Sequence, residues 1–236
     1  MDYAVNTYDL YRDIQQRTGG EIYIGVLGPV RTGKSTFIKR FMEEMVLPFM
    51  EDEPAKVRAQ DELPQSAGGK TITTTEPKFI PNEAARIMLK EDIPVSVRLI
   101  DCVGYIVDSS LGYVEDNEPR MVTTPWFDHP IAFNEAAEIG TKKVICEHST
   151  IGLVVTTDGT ITEIDRNDYV DAENRVINEL KAINKPFIVL LNSVAPHSQS
   201  AQNLKAELEA KHGVPVVAVN CEELNATDIH NIIETV

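Results

Sequence analysis

The chain has 236 residues, 42% of them hydrophobic, which is enough to fill the core of one large α/β domain. Asp and Glu number 37 against 22 Lys and Arg, a formal charge of −15, and that balance argues against direct binding of nucleic acid or of an anionic lipid surface. No apolar run reaches the length of a membrane span, the first residues Met1–Val5 lack a secretory signal, and three widely spaced cysteines (Cys102, Cys146, Cys221) form neither a disulfide framework nor a zinc motif, so a reducing, cytosolic compartment is expected.

Residues 1–20 read as an N-terminal helical extension: Tyr8, Leu10, Tyr11 and Ile14 have rough helical spacing, and Gly19-Gly20 supplies a stop. Residues 21–236 read as one domain. Its first apolar run, Ile22–Leu27, leads into Gly28-Pro29-Val30-Arg31-Thr32-Gly33-Lys34-Ser35, and a helical pattern starts at Thr36. This is G-x-x-x-x-G-K-S between a strand and a helix, the context a phosphate-binding loop requires. Gly28 and Gly33 let the backbone turn its N–H groups inward, and the following helix adds its positive end. Lys34 is expected to reach the terminal phosphates and the Ser35 hydroxyl to bind Mg2+. A nucleoside triphosphate is the implied ligand.

Pro48 and the acids Glu51-Asp52-Glu53 read as the end of the first helix. Residues 57–77 then read as a long polar loop, in the place where switch proteins close a threonine over the metal and the terminal phosphate. Thr73, Thr74 and Thr75 are the candidates, with Thr74 or Thr75 favoured. The apolar strand Val95–Ile100 ends in Asp101-Cys102-Val103-Gly104, a D-x-x-G signature in which Asp101 can hold the water shell of the magnesium and Gly104 can turn its N–H toward the phosphate. Cys102 reads as a small apolar filler. No Gln or His follows Gly104 to orient a water; Tyr105 stands there instead.

Residues 105–132 read as a long irregular insertion, pinned to the domain by Trp126, and His129 as structural. Residues 133–147 read as a helix with Asn134 as its cap, 151–157 as a buried strand, 168–183 as an amphipathic helix, 187–191 as a strand, 198–212 as a helix and 214–219 as the last strand, with Thr227 capping a closing helix. Strands alternating with helices imply a mostly parallel sheet with helices on both faces, a three-layer P-loop NTPase architecture.

The order of these motifs resembles the TRAFAC class of GTPase-like P-loop proteins, with one departure. Guanine-specific members carry N-K-x-D after the strand that here spans 187–191, whereas this chain reads Asn192-Ser193-Val194-Ala195. Asn192 fits; the acid that pairs with guanine is replaced by Ala195. Guanine donors would lack a partner, so ATP is favoured over GTP.

Longer strings carry a narrower resemblance: Gly28 through Lys39, Ala59-Gln60-Asp61-Glu62-Leu63-Pro64-Gln65-Ser66-Ala67, Thr74-Thr75-Glu76-Pro77-Lys78-Phe79, Asp101-Cys102-Val103-Gly104-Tyr105, Pro119-Arg120-Met121, Thr124-Pro125-Trp126, residues 135–141 and residues 147–152. With these the chain resembles the stage IV sporulation protein A family, spore-coat morphogenetic ATPases of endospore-forming bacteria. The resemblance runs from about residue 10 to the end and implies an N-terminal ATPase domain of a longer protein, whose middle and C-terminal regions have no counterpart here. It implies ATP hydrolysis with Mg2+, self-assembly into the basement layer of the coat, partnership with other coat morphogenetic proteins, and a place in the mother-cell cytoplasm at the forespore surface, with membrane contact only through the missing C-terminal region.

By motif, Lys34, Asp101, Thr74 and Thr75 match catalytic positions of that family, and Ser35, Thr75 and Asp101 form the metal set. ATP contacts fall to Gly28, Pro29, Val30, Arg31, Thr32, Gly33, Lys34, Ser35, Thr36, Asn192 and Ser193. Arg31 occupies the position where potassium-activated GTPase relatives carry Asn. It either neutralises phosphate charge in cis or pairs with a neighbouring acid. Two other classes remain in competition with the ATPase: a regulatory GTPase, and a scaffold that binds nucleotide without turnover.

Overall fold

The computed structural model describes residues 19–65, 71–72, 76–88, 94–115 and 118–235. The expected N-terminal helix and the candidate threonines Thr73, Thr74 and Thr75 lie outside them. Strand β1 (Glu21–Leu27) is buried almost throughout, as befits a central strand covered on both faces. It feeds the phosphate-loop sequence into helix α1 (Lys34–Phe41), whose Phe37, Ile38 and Phe41 are buried at the one-turn spacing of an amphipathic helix. A π turn (Met42–Val46) and a 3-10 turn (Leu47–Phe49) carry the helical path on to the Pro48 region, where the sequence places its end.

The acids and proline after it start a helix as well as following one. Asp52 accepts a hydrogen bond from the backbone N–H of Ala55 (3.4 Å) and Pro54 sits in the first turn of α2 (Glu53–Asp61), where its missing N–H has no intrahelical partner to lose. The expected polar loop therefore loses residues 57–61 to this helix, whose Ala59 is buried.

Strand β2 (Lys78–Met88) runs antiparallel to β3 (Pro94–Asp101), with a register shift between Ile80 and Ala85. The stretch expected to be irregular contains two short ribbons: β4 (Val114–Glu115) with β5 (Glu118–Pro119), and β6 (Met121–Val122) with β7 (Ile131–Ala132). Helix α3 (Phe133–Lys143) follows β7 directly. Its cap residue is Ala132, and Asn134 lies inside the first turn, where its side chain cannot cap. A π turn (Val144–His148) leads to β8 (Ile151–Thr157).

A 3-10 turn (Arg166–Tyr169) precedes α4 (Val170–Ala182); then come β9 (Phe187–Asn192), α5 (Gln199–His212) capped by Ser198, β10 (Val216–Val219) and α6 (Ala226–Thr235). The last helix is capped by Asn225 rather than Thr227: its Oδ1 accepts from the N–H groups of Thr227 (2.9 Å) and Asp228 (3.1 Å).

The main sheet has the order β10-β9-β8-β1-β3-β2, parallel except for β2 at the edge. Alternation along the strands splits the core into two layers. Ile22, Ile24, Val26, Leu153, Val155, Ile188 and Leu190 face α1 and α6, while Leu27, Val154, Val189 and Leu191 face α3, α4 and α5. Helices therefore cover both faces, as expected. The registers place Val26 beside Asp101 and Leu27 beside Val154, so the carboxyl ends of the parallel strands line up along one rim. In open α/β sheets that rim is where ligands bind. Among the described residues no helix is long and apolar enough to cross a membrane.

Candidate nucleotide site

The loop after β1 is shaped by its glycines. Gly28 has φ +130°, and a Cβ there would lie 2.2 Å from the carbonyl oxygen of Val155; Gly33 has φ +96°, and a Cβ there would lie 2.2 Å from the Asn192 side-chain nitrogen. Both positions demand glycine for conformation and for space. Arg31 also adopts a left-handed backbone, φ +62°. The loop is tied to the next strand's exit: Val30 N–H donates to the Tyr105 carbonyl (2.9 Å) and Tyr105 N–H to the Gly28 carbonyl (3.2 Å).

Lys34 opens α1 and is buried. Its Nζ donates to the Pro29 carbonyl at 2.6 Å, so the ammonium curls back over its own loop. Burial lowers its pKa to about 8, against the opposing pull of Asp101. The Ser35 hydroxyl donates to one oxygen of Asp101 at 2.9 Å. The other oxygen, Oδ1, is buried and has no hydrogen-bond partner among the described residues. Burial raises the Asp101 pKa, partly offset by Lys34 and then Ser35. A buried carboxylate oxygen left bare beside a hydroxyl is a costly arrangement that a hard cation would relieve. The described residues contain no group of three or more His, Cys, Asp or Glu placed to hold a metal ion. A cation here would thus rely on Ser35, Asp101, water and ligand oxygens, the donor set that suits magnesium.

Lys34 and Ser35 open into a cavity of about 350 Å³. Val30, Arg31, Gly33, Lys34, Ser35 and Thr36 form its loop side. The opposite side is made by the ends of three other strands: Thr160 after β8, Asn192 and Val194 at the end of β9, and Asn220 and Glu222 after β10. The volume falls in the range of small-molecule sites.

Of the residues singled out in the sequence, several serve the site from behind. Thr32 is buried with its hydroxyl donating to the Pro29 carbonyl (3.0 Å). Asn192 bridges two elements: its Nδ2 donates to the Thr32 carbonyl (3.0 Å) and its Oδ1 accepts from Cys221 N–H (3.0 Å). Ser193 is fully buried; its N–H donates to the Val219 carbonyl (2.9 Å) and its Oγ accepts from Ala195 N–H (3.1 Å), so it braces the β9 loop and is not among the cavity's lining residues. Cys102 is buried among apolar neighbours with its thiol pKa pushed up by burial, as expected of a filler.

The sequence reading passed over Thr160, Asn220 and Glu222. The signal that finds them is topological: each follows the carboxyl end of a strand on the β10 side of the switch in strand order.

Tyr105 is held away from the cavity. Its hydroxyl donates to Glu179 on α4, the Arg175 guanidinium lies over its ring at 4.9 Å, and Arg175 grips Glu138 of α3 through two contacts of 2.6 and 2.8 Å. The residue after Gly104 is therefore a tie between the loop and two helices. Trp126 does pin the insertion to its own domain: it packs beside Gly140 of α3, with the Lys143 ammonium 5.9 Å from its ring center. His129 is exposed beside Asp128 and Phe127, so it supports no buried framework.

Comparison with known proteins narrows what this geometry belongs to. Two crystal structures of SsGBP point variants superpose with TM-scores of 0.52 and 0.50 over 96% and 97% of this chain, and 60% and 58% of theirs, at only 11% and 12% identity. They share the fold. The ATPase-domain model of stage IV sporulation protein A matches residues 5–236. Proteins of that name from Bacillus anthracis and Bacillus subtilis are 56% and 55% identical over 95% of this chain, and one from Clostridioides difficile is 53% identical over 97% of it. In each case the match covers 46% of the relative, so the chain spans about half their length. The chain belongs to the stage IV sporulation protein A family and corresponds to its ATPase domain.

Proposed function

We propose that this domain binds and hydrolyses ATP, and that hydrolysis drives self-assembly of a coat basement layer on the cytoplasmic side of the forespore surface. The observation that carries the reading is the pairing of Ser35 with Asp101 (2.9 Å), whose second oxygen is buried and bare, directly beside the buried Lys34. Ser35 and Asp101 would hold Mg2+, with Thr75 as a further ligand outside the described residues. The metal would supply charge neutralisation on the phosphates.

Lys34 is a switchable donor in this account. Its ammonium donates to the Pro29 carbonyl; with phosphate present it would turn to the anion, whose charge would raise its pKa from about 8 back toward the ordinary lysine range. The backbone N–H groups between Gly28 and Ser35 cradle the remaining oxygens. Losing the terminal phosphate would release the segments that contact it, and with them an assembly surface toward further copies of the chain and other coat proteins.

A non-catalytic scaffold has one observation in its favour: Tyr105, in the position from which a side chain could orient water, is committed to Glu179. Calorimetry separates binding from its metal requirement. ATP is expected to bind with Mg2+ and to lose at least tenfold in affinity when EDTA removes the metal; equal binding in both would overturn the assignment of Ser35 and Asp101 to a metal.

A further inference from the structure

The cavity is lopsided in its hydrogen-bonding character. Its loop end is rich in donors, but at the far end the backbone donors that follow β9 and those that follow Asn220 are already used. Val194 N–H donates to the Thr160 hydroxyl (3.0 Å) and Ala195 N–H to the Ser193 hydroxyl (3.1 Å). After β10, Cys221 N–H donates to Asn192 Oδ1 (3.0 Å), Glu222 N–H to Asn220 Oδ1 (3.1 Å) and Glu223 N–H to the Asn220 carbonyl (3.1 Å). The Thr160 hydroxyl proton goes to Asp158 (2.6 Å). Two side-chain groups remain there: the Asn220 amide nitrogen and the carboxylate of Glu222, which makes no hydrogen bond or ion pair among the described residues.

Strand order fixes which part of a nucleotide meets this end. The phosphate loop follows β1 and the bare carboxylate ends β3, so the phosphates lie between β1 and β3. The base must then lie on the other side, over the exits of β9 and β10, where Asn220 and Glu222 stand. The six-position of a purine distinguishes the two common bases: adenine carries an amino donor there, guanine a carbonyl acceptor. A rim with these backbone donors consumed and a carboxylate exposed favours the first over the second.

We infer that Glu222 is the residue that selects adenine, its carboxylate accepting from the six-amino group of the base. This rests on the nucleotide-binding reading above, and it assigns the choice of base to a side chain that the N-K-x-D position does not contain. Glu222 is exposed on the rim, so the discrimination it gives is tens-fold, short of the many thousand-fold of a fully enclosed polar site.

The test measures the affinities of ADP, purine riboside diphosphate (ADP without its amino group), IDP and GDP for the wild type, Glu222→Ala, Glu222→Gln and Lys34→Ala. The wild type is expected to prefer ADP about tenfold over purine riboside diphosphate, and by more over IDP and GDP. Glu222→Ala should bring the first ratio to within about twofold. Glu222→Gln, whose amide can also donate, should bind IDP and GDP better than the wild type does. An unchanged ratio in Glu222→Ala, with binding still lost in Lys34→Ala, overturns this inference while leaving the nucleotide site intact. A wild type that prefers GDP, with the preference lost in Glu222→Ala, overturns it too, since the carboxylate would then be reading guanine's own donors. Absence of any Lys34-dependent binding removes the proposed function and this inference together.

Discussion

Arg31 is the residue where sequence and structure pull hardest on each other. Its left-handed backbone is unusual for a side chain of this size, and burial lowers its pKa while Tyr169 opposes that shift. The side chain lines the cavity a few residues before Lys34. A guanidinium held there can meet phosphate charge without any partner protein. If it does, turnover in the wild type is independent of potassium, and Arg31→Ala loses roughly tenfold or more in kcat with a smaller change in nucleotide affinity. Arg31→Asn, which tolerates the same backbone, should regain part of that loss when potassium is added. Equal turnover in wild type and Arg31→Ala would reduce Arg31 to a surface cation. The places of Lys34 and Ser35 on one loop were legible from spacing, because four fixed positions in a strand–loop–helix context leave little freedom, and that of Asp101 from the apolar strand it ends. The curl of Lys34 onto Pro29 was not legible because it is a side-chain conformation that spacing does not specify, and the bare Asp101 oxygen because it depends on atoms far apart in the chain.

Among the elements, the tie around Tyr105 has the clearest consequence. It joins the exit of β3 to α3 and α4 through Tyr105, Glu179, Arg175 and Glu138. The Arg175–Glu138 and Arg175–Glu179 pairs are half-exposed and contribute little by themselves. The buried ring and its hydroxyl carry more. Tyr105→Phe is expected to lower stability by about 1–2 kcal/mol in denaturant titration, with kcat changed less than about threefold. A hundredfold loss of kcat with unchanged stability would instead place the hydroxyl in the chemistry. No sequence rule could have found this tie, because its partners lie 33 to 74 residues from Tyr105 and share no motif. The strands and long helices, by contrast, were legible from apolar runs and periodicity. Boundaries shifted where local chemistry decided them: Asp52 and Pro54 start a helix that their loop-like composition hid, and Asn225 caps α6 because its side chain reaches two N–H groups.

For the molecule as a whole, one rim of one sheet gathers everything the account needs: a phosphate loop after β1, a carboxylate ending β3, and an acceptor-bearing edge after β10. Family membership says that this is an ATPase domain occupying about half the length of its relatives. The central claim is turnover, and phosphate release tests it most directly: wild type with Mg2+ and either ATP or GTP, beside Lys34→Ala and Asp101→Asn. The account predicts release from ATP, at least tenfold less from GTP, and a loss of about a hundredfold or more in both variants. Tight ATP binding without release, or release that survives in Lys34→Ala and Asp101→Asn, would contradict it.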